Sequence, residues 1–306
     1  MESCRKSIRK TGIFTAVQSK GVTLVYDKVS LGIRGDLNLL KKHMAQNSDC
    51  SRYTSFFESD KKDAPGTVEI EIKNNPGLLS SFLNILAEYI IERYEAQMAE
   101  RIISEDYSYL SQTQKRVVMR SLSDLNDDGE IGYYPRKKAI FESLCEYVKS
   151  ESDMLLEGFV SFRLKEYESL LSKAVHYLAE KSIIEQEYND FIDLLKYFVN
   201  IQTSRPKLVH VVVESDGSYE LISDEKENIT KKAMSDFVDI NDLPDNINYD
   251  DLLISMLITL APKAVVVHNS KLIKNKELFK TIDLVFDKNM IYCSGCEMCK
   301  DSQAVT

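Results

Sequence analysis

The stretch LLISMLITLAPKAVVVHNSKLIKNKELFKTIDLVFDKNMIYC, residues Leu252 to Cys293, decides the fold because it carries the order helix, strand, helix, strand. Leu252 to Leu260 is apolar and long enough for a short buried helix. Ala261-Pro262 closes it, since a proline disfavours helical backbone in the residue before it. Ala264 to His268 is apolar without alternation, which predicts a strand covered on both faces. A helix over Lys276 to Phe286 then separates it from a second short strand, Met290 to Cys293. Strand, helix, strand in this order predicts a parallel pair joined by a right-handed crossover. Just upstream, Leu208 to Val213 and Tyr219 to Ile222 flank Ser215-Asp216-Gly217-Ser218. This pattern predicts a hairpin, because Asp-Gly accepts the positive φ angles of a tight turn. Residues 205–306 therefore read as one C-terminal α/β unit.

Towards the amino terminus the period changes to that of helices. Leu79, Phe82, Leu83, Leu86 and Ile90 form a continuous apolar stripe after Pro76, a residue suited to a first helical turn. A second helical region ends near Leu122, a loop follows from Ser123 to Pro135, and Ile140, Leu144 and Val148 resume the pattern. After Gly158, Val160, Leu164, Tyr167, Leu171, Ala174 and Leu178 recur at spacings of four and three. Ile184, Tyr188, Phe191, Leu195 and Phe198 predict a further helix that ends before Pro206, with Leu171 and Leu195 buried on facing helices. Residues 74–204 thus read as a helical bundle, packed on the C-terminal unit. In residues 1–73, Val22 to Tyr26 suits a strand, Asp36 can cap a helix carrying Leu37, Leu40 and Met44, and Val68, Ile70 and Ile72 alternate as in a half-buried strand. The polar stretch from Ser48 to Pro65 reads as their loop, and the segment as a small α/β element. The expected fold class is α+β: a central helical bundle flanked by a small N-terminal α/β element and a C-terminal α/β unit.

Composition narrows the functional classes. With 306 residues, 43% of them hydrophobic and 28% charged, the chain can build sizeable cores and is neither fibrous nor largely disordered. No charge-free stretch reaches the roughly 18 to 20 apolar residues of a membrane span. The basic start MESCRKSIRK leads into no apolar core with a cleavage site, so a cytoplasmic location is expected. A net charge of −9 opposes general attraction to nucleic acid. Nine bases against three acids between Met1 and Lys42 form a local basic segment, which reads as a solvated face.

Chemistry concentrates at the carboxyl terminus. Cys293-Ser294-Gly295-Cys296-Glu297-Met298-Cys299 is C-x2-C-x2-C, a spacing that lets successive thiolates turn towards one ion, with Gly295 easing the turn. Parallel pairing would place His268, at the end of one strand, beside Cys293, at the end of the next, which makes His268 the candidate fourth ligand. Three sulfurs and one imidazole suit zinc. An iron–sulfur cluster is the alternative metal, although Gln303 stands where a ferredoxin run has its fourth Cys. Unligated thiols in a short tail, with His268 capping a strand, are the remaining reading.

Asp124-Leu125-Asn126-Asp127-Asp128-Gly129-Glu130-Ile131 resembles the first eight positions of an EF-hand loop. Pro135 stands where the bidentate Glu belongs, which favours a polar turn. His43, His176 and His210 are scattered, and His176 reads as a core-edge histidine. No phosphate-binding glycine motif, dinucleotide fingerprint or nucleophile elbow is present, so no catalytic residue is assigned.

The segments GFVSFRLKEYESLL from Gly158, EYNDFIDLLKYFVNIQ from Glu187, LLISMLITLAPKAVVVHN from Leu252 and the terminal CSGCEMC resemble, in order and spacing, the YtxC-type proteins assigned to sporulation in endospore-forming bacteria. The resemblance covers roughly the second half of the chain. It implies a cytoplasmic role connected with spore formation and carries over no catalytic residue. Two functional classes follow: a non-enzymatic factor acting through a protein partner or as a structural element, and a metal-dependent or redox enzyme using the cysteine cluster. The lack of a complete catalytic motif favours the first.

Overall fold

A computed structural model of the chain describes residues 27–34, 37–58, 64–72, 75–125, 129–202, 206–235 and 249–301. The expected strand at Val22 to Tyr26, the Asp36 cap, most of the basic segment and Gln303 lie outside them. The fold is α+β, and the chain divides into two compact units, Met1–Ser182 and Ile183–Thr306.

In the first unit, strands β1 (Lys28–Ile33), β2 (Thr54–Phe57), β3 (Gly66–Glu71) and β4 (Asp153–Leu155) form a sheet in the order β2-β3-β1-β4. β1 is antiparallel to β3 and parallel to β4, with Leu31 opposite both Val68 and Met154. Val29, Leu31, Ile33, Val68, Ile70 and Met154 are buried on one face, while Lys28 and Ser30 turn to the other. That is the period-two division of a sheet with one packed face. The helices are α1 (Asn38–Ala45), α2 (Ser48–Tyr53), α3 (Pro76–Asp106), α4 (Gln112–Asp124), α5 (Tyr133–Tyr147), α6 (Leu156–Arg163) and the start of α7 (Lys165–Ile201). The Asn75 side chain accepts from the Leu78 N–H at 3.1 Å and so starts α3. The stripe Leu79, Phe82, Leu83, Leu86 and Ile90 is buried along it as expected.

Several local expectations are corrected. The polar stretch after Ser48 is not one loop: Asn47 caps α2 by accepting from the Cys50 N–H, and Thr54–Phe57, β-branched and aromatic, joins the sheet as β2. The loop after α4 ends at Gly132, and Pro135 sits in the first turn of α5, where a missing N–H costs nothing. Asn126, Asp127 and Asp128 of the EF-hand-like run lie outside the described residues. His176 is exposed rather than at the core edge, and it contacts Tyr107 and Glu180.

The helical stripe after Gly158 is also divided differently. Leu164, buried, leaves helical geometry at ψ 37° and separates α6 from α7. No break follows Leu178. Ala179-Glu180-Lys181 are good helix formers without Gly or Pro, so one helix of 37 residues runs to Ile201 and crosses the division between the units. Leu171 and Leu195 therefore lie on the same helix, the first buried and the second half-buried. Leu171→Ala should lower the stability of the first unit by at least about 2 kcal/mol, read as a shifted denaturation midpoint, and Leu195→Ala should cost the second unit less. An unchanged midpoint for Leu171→Ala would contradict this packing.

In the second unit, β5 (Val209–Val213), β6 (Tyr219–Ser223), β7 (Val265–His268) and β8 (Met290–Tyr292) form a sheet in the order β6-β5-β7-β8. β5 and β6 are the expected hairpin, with Gly217 at φ 97° in its turn. β7 and β8 are the expected parallel pair, and β5 also runs parallel to β7. Val209, Val211, Val213, Leu221, Val265 and Val267 face a core completed by Ile192 and Val199 of α7, Leu253, Met256 and Leu257 of α9 (Tyr249–Leu260), and Phe279, Ile282 and Phe286 of α10 (Lys276–Phe286). A six-residue helix α8 (Thr230–Ser235) and a short terminal helix α11 (Glu297–Asp301) complete the described α-helices. On α7 the row packed on this core is Tyr188, Ile192, Leu195 and Val199, with Ile192 and Val199 buried and the other two half-buried; Ile184, Phe191 and Phe198 of the expected row are exposed. The helices build their core on one face of this sheet. On the opposite face Val212 and His268 are buried as well and Val266 is partly covered, in keeping with the covered strand that the apolar run suggested.

Among the described residues no helix is long and apolar enough to cross a membrane. Lys28 and Lys41 of the basic segment pair with Glu69 and Glu58, each at 2.6 Å.

Candidate metal centre

The opposite face of the second sheet carries the site. In the parallel register, His210 lies beside Val266 and Val212 beside His268, so both histidines project from the face turned away from the helical core. β7 ends at His268, and Asn269 turns the chain with φ 54° while its side chain donates to the Val213 carbonyl at 3.3 Å. The N–H of Cys293 donates to the Val267 carbonyl at 2.8 Å, extending the β7 to β8 ladder by one bond and setting Cys293 level with His268.

From Cys293 the chain turns back. Gly295 has φ 135°, backbone that L side chains rarely adopt, and its N–H donates to the Cys293 Sγ at 3.4 Å. Cys296 follows, and Cys299 lies in α11, its N–H bonded to the Cys296 carbonyl at 3.2 Å. The Cys299 Sγ is 3.8 Å from that of Cys293 and 3.9 Å from that of Cys296. Nδ1 of His268 is 3.3 Å from the Cys296 Sγ and 3.5 Å from the Cys299 Sγ. All four donor atoms lie within 4.8 Å of one another. The structure thus brings together the four side chains singled out in the sequence, whereas Cys50 and Cys145 stand apart as free thiols.

Four of the six donor separations match the edges of a single tetrahedral ion, and the other two, from Cys293 to Cys296 and to His268, lie within 4.8 Å. Bonds of about 2.3 Å to sulfur and about 2.0 to 2.1 Å to nitrogen imply S···S edges of about 3.8 Å and S···N edges of about 3.5 Å. The electrostatics agree with the donor chemistry. Burial lowers the pKa of His268, with the neighbouring His210 adding to the effect, and burial lowers that of His210 against an opposing pull from Asp224; both shifts favour the neutral imidazole, the form that binds metal. At Cys299 burial raises the thiol, but hydrogen bonds from the Asn269 and Cys296 backbone and from the other two thiols outweigh it and bring it down. At Cys293 the Gly295 N–H lowers the thiol, while burial and the two other sulfurs push the balance upward. Three sulfurs this close cannot all carry charge cheaply, and a divalent cation among them removes that repulsion.

One participant was missed in the sequence. Nε2 of His268, the ring nitrogen away from the thiols, lies 2.9 Å from Nδ1 of His210, and the ring centroids are 5.1 Å apart. No local motif links residues 58 positions apart; only the pairing of β5 with β7 does.

Comparison with known proteins adds a relationship. A model of the YtxC-like family matches residues 80–291. The chain is 26% identical over 257 residues to the Bacillus subtilis (strain 168) protein named "Uncharacterized protein YtxC", covering 81% of this chain and 87% of that one. No solved structure matches.

Proposed function

The chain belongs to the YtxC-like family, and from that premise we propose that it is a cytoplasmic, non-enzymatic protein of spore formation whose C-terminal unit is stabilised by one zinc ion. Cys293, Cys296, Cys299 and His268 would hold the ion. The observation that carries this reading is the set of donor separations, 3.8 and 3.9 Å between sulfurs and 3.3 and 3.5 Å from sulfur to nitrogen. A cluster of several irons would set the thiolates on different metal atoms and spread them further apart than a group within 4.8 Å. Four protein donors also fill a tetrahedral shell. Structural zinc sites are closed in this way, whereas catalytic ones keep a position for water or substrate. The role is therefore carried by the folded surface, structurally or towards a protein partner, and the ion contributes folding energy.

Metal analysis and an absorption spectrum of anaerobically purified full-length protein test this. The expected result is one zinc per chain and no visible absorption, with cobalt(II) substitution producing the bands of a tetrahedral thiolate site. Iron with inorganic sulfide and visible charge-transfer bands would overturn the zinc assignment, and so would a chain that takes up neither zinc nor cobalt(II).

A further inference from the structure

We propose that His210 is a positioning residue of this centre, accepting a hydrogen bond from His268 that commits His268 to bind metal through Nδ1. The inference rests on the zinc reading above and extends it to a residue outside the ligand set.

The two nitrogens of His268 face different partners. Nδ1 is turned to the sulfurs of Cys296 and Cys299, and Nε2 to Nδ1 of His210 at 2.9 Å. If Nδ1 gives its lone pair to the ion, the ring proton sits on Nε2 and points at His210. Nδ1 of His210 must then be unprotonated to accept it, so the proton of His210 sits on its own Nε2. One bound ion thereby fixes the tautomer of both rings.

The placement is built into the sheet. His210 lies on β5, which has β6 on one side and β7 on the other, so its backbone is held by ladders on both edges. His268 is 3% exposed and its ring is held between this neighbour and the thiols. The chemistry of the acceptor also fits. Zinc with three thiolates and a neutral imidazole carries a net charge of −1. A carboxylate accepting from Nε2 would place a second negative charge beside it in a partly buried site, whereas an imidazole orients the ligand without adding charge.

Zinc competition with a chromophoric chelator, run on the full chain, tests the role. His210→Phe removes the acceptor while keeping a ring, and is expected to weaken zinc binding about 10- to 100-fold. His210→Gln, whose Oε1 can accept from Nε2, is expected to retain most of the affinity. Nitrogen-15 spectra of the zinc-loaded wild-type chain should show His268 protonated at Nε2 and metal-bound at Nδ1. His210→Phe with wild-type affinity, His210→Gln weakened as far as His210→Phe, or zinc on Nε2 of His268 would each overturn the positioning role while leaving the zinc centre standing. The nitrogen-15 result needs no variant to fold. A wild-type chain that binds no zinc would overturn both.

Discussion

Replacing Arg136 with Ala is expected to destabilise the first unit by about 3 to 5 kcal/mol, seen as a lower urea midpoint for its transition in the full chain. Arg136 is 1% exposed, and its guanidinium meets the Glu95 carboxylate in a fork: Nε to Oε2 at 2.9 Å and the second terminal nitrogen to Oε1 at 3.2 Å. The first terminal nitrogen donates to the Ile131 carbonyl at 2.5 Å, tying α5 to the turn before it. The Tyr167 hydroxyl donates to Glu95 Oε2 at 2.9 Å, so α3, α5 and α7 converge on one carboxylate. Burial and the Glu95 charge push that hydroxyl far above its ordinary pKa, which keeps it a donor. Removal of Arg136 leaves Glu95 buried with its charge unpaired, and that deficit, more than the loss of attraction, sets the magnitude. The triple variant Arg136→Met with Glu95→Leu and Tyr167→Phe should recover much of the loss, because it leaves neither a buried charge nor a buried hydroxyl without an acceptor. A midpoint shift equivalent to less than about 1 kcal/mol for the single variant would show that the network is dispensable.

Cys296→Ala is expected to abolish stoichiometric zinc binding and, with it, the dependence of the second unit's stability on zinc. At free zinc 1,000 times the dissociation constant, the wild-type unit should gain about 4 kcal/mol over its chelated form. The variant should melt at the same temperature with zinc or with chelator. Cys145→Ala is the control: Cys145 lies in the first unit, its thiol raised by burial, and its loss should leave zinc content unchanged. A Cys296→Ala chain that still holds one zinc and still responds to chelator would exclude Cys296 from the site.

Much of this was legible in the sequence because local rules and the final packing agree. The bounds of α10, Lys276–Phe286, coincide with those read from its amphipathic pattern, and Asn275 caps it by accepting from the Leu278 N–H at 3.0 Å. The convergence of His268 with the cysteines follows from two parallel strands ending at one edge. Other features had no local signature. β4 is three residues long, too short for any period to show, and it exists because β1 offers it an edge. Along α7, the rows Ile184-Tyr188-Phe191-Leu195-Phe198 and Tyr188-Ile192-Leu195-Val199 share two residues and are both apolar. Only the partner sheet decides between them. The place of His210 beside His268 had no signature for a related reason, since sequence does not state that β7 lies next to β5.

The parallel pairing of β1 with β4 has a consequence for how the chain is made. The Arg34 N–H and the Glu157 carboxylate, bonded at 2.8 Å beside this pair, are 123 residues apart, so at about 5 to 20 residues per second a ribosome needs about 6 to 25 s between them. Closing a loop of 123 residues costs on the order of 4 kcal/mol of chain entropy before the pairing returns anything. β2, β3 and β1 can assemble from nearby sequence, but the outer edge of β1 stays open throughout that interval. The nascent chain therefore presents a strand edge to its neighbours on the polysome until α3, α4 and α5 have emerged, and the timing of translation past Leu155 governs how long the first sheet is vulnerable to pairing with the wrong chain.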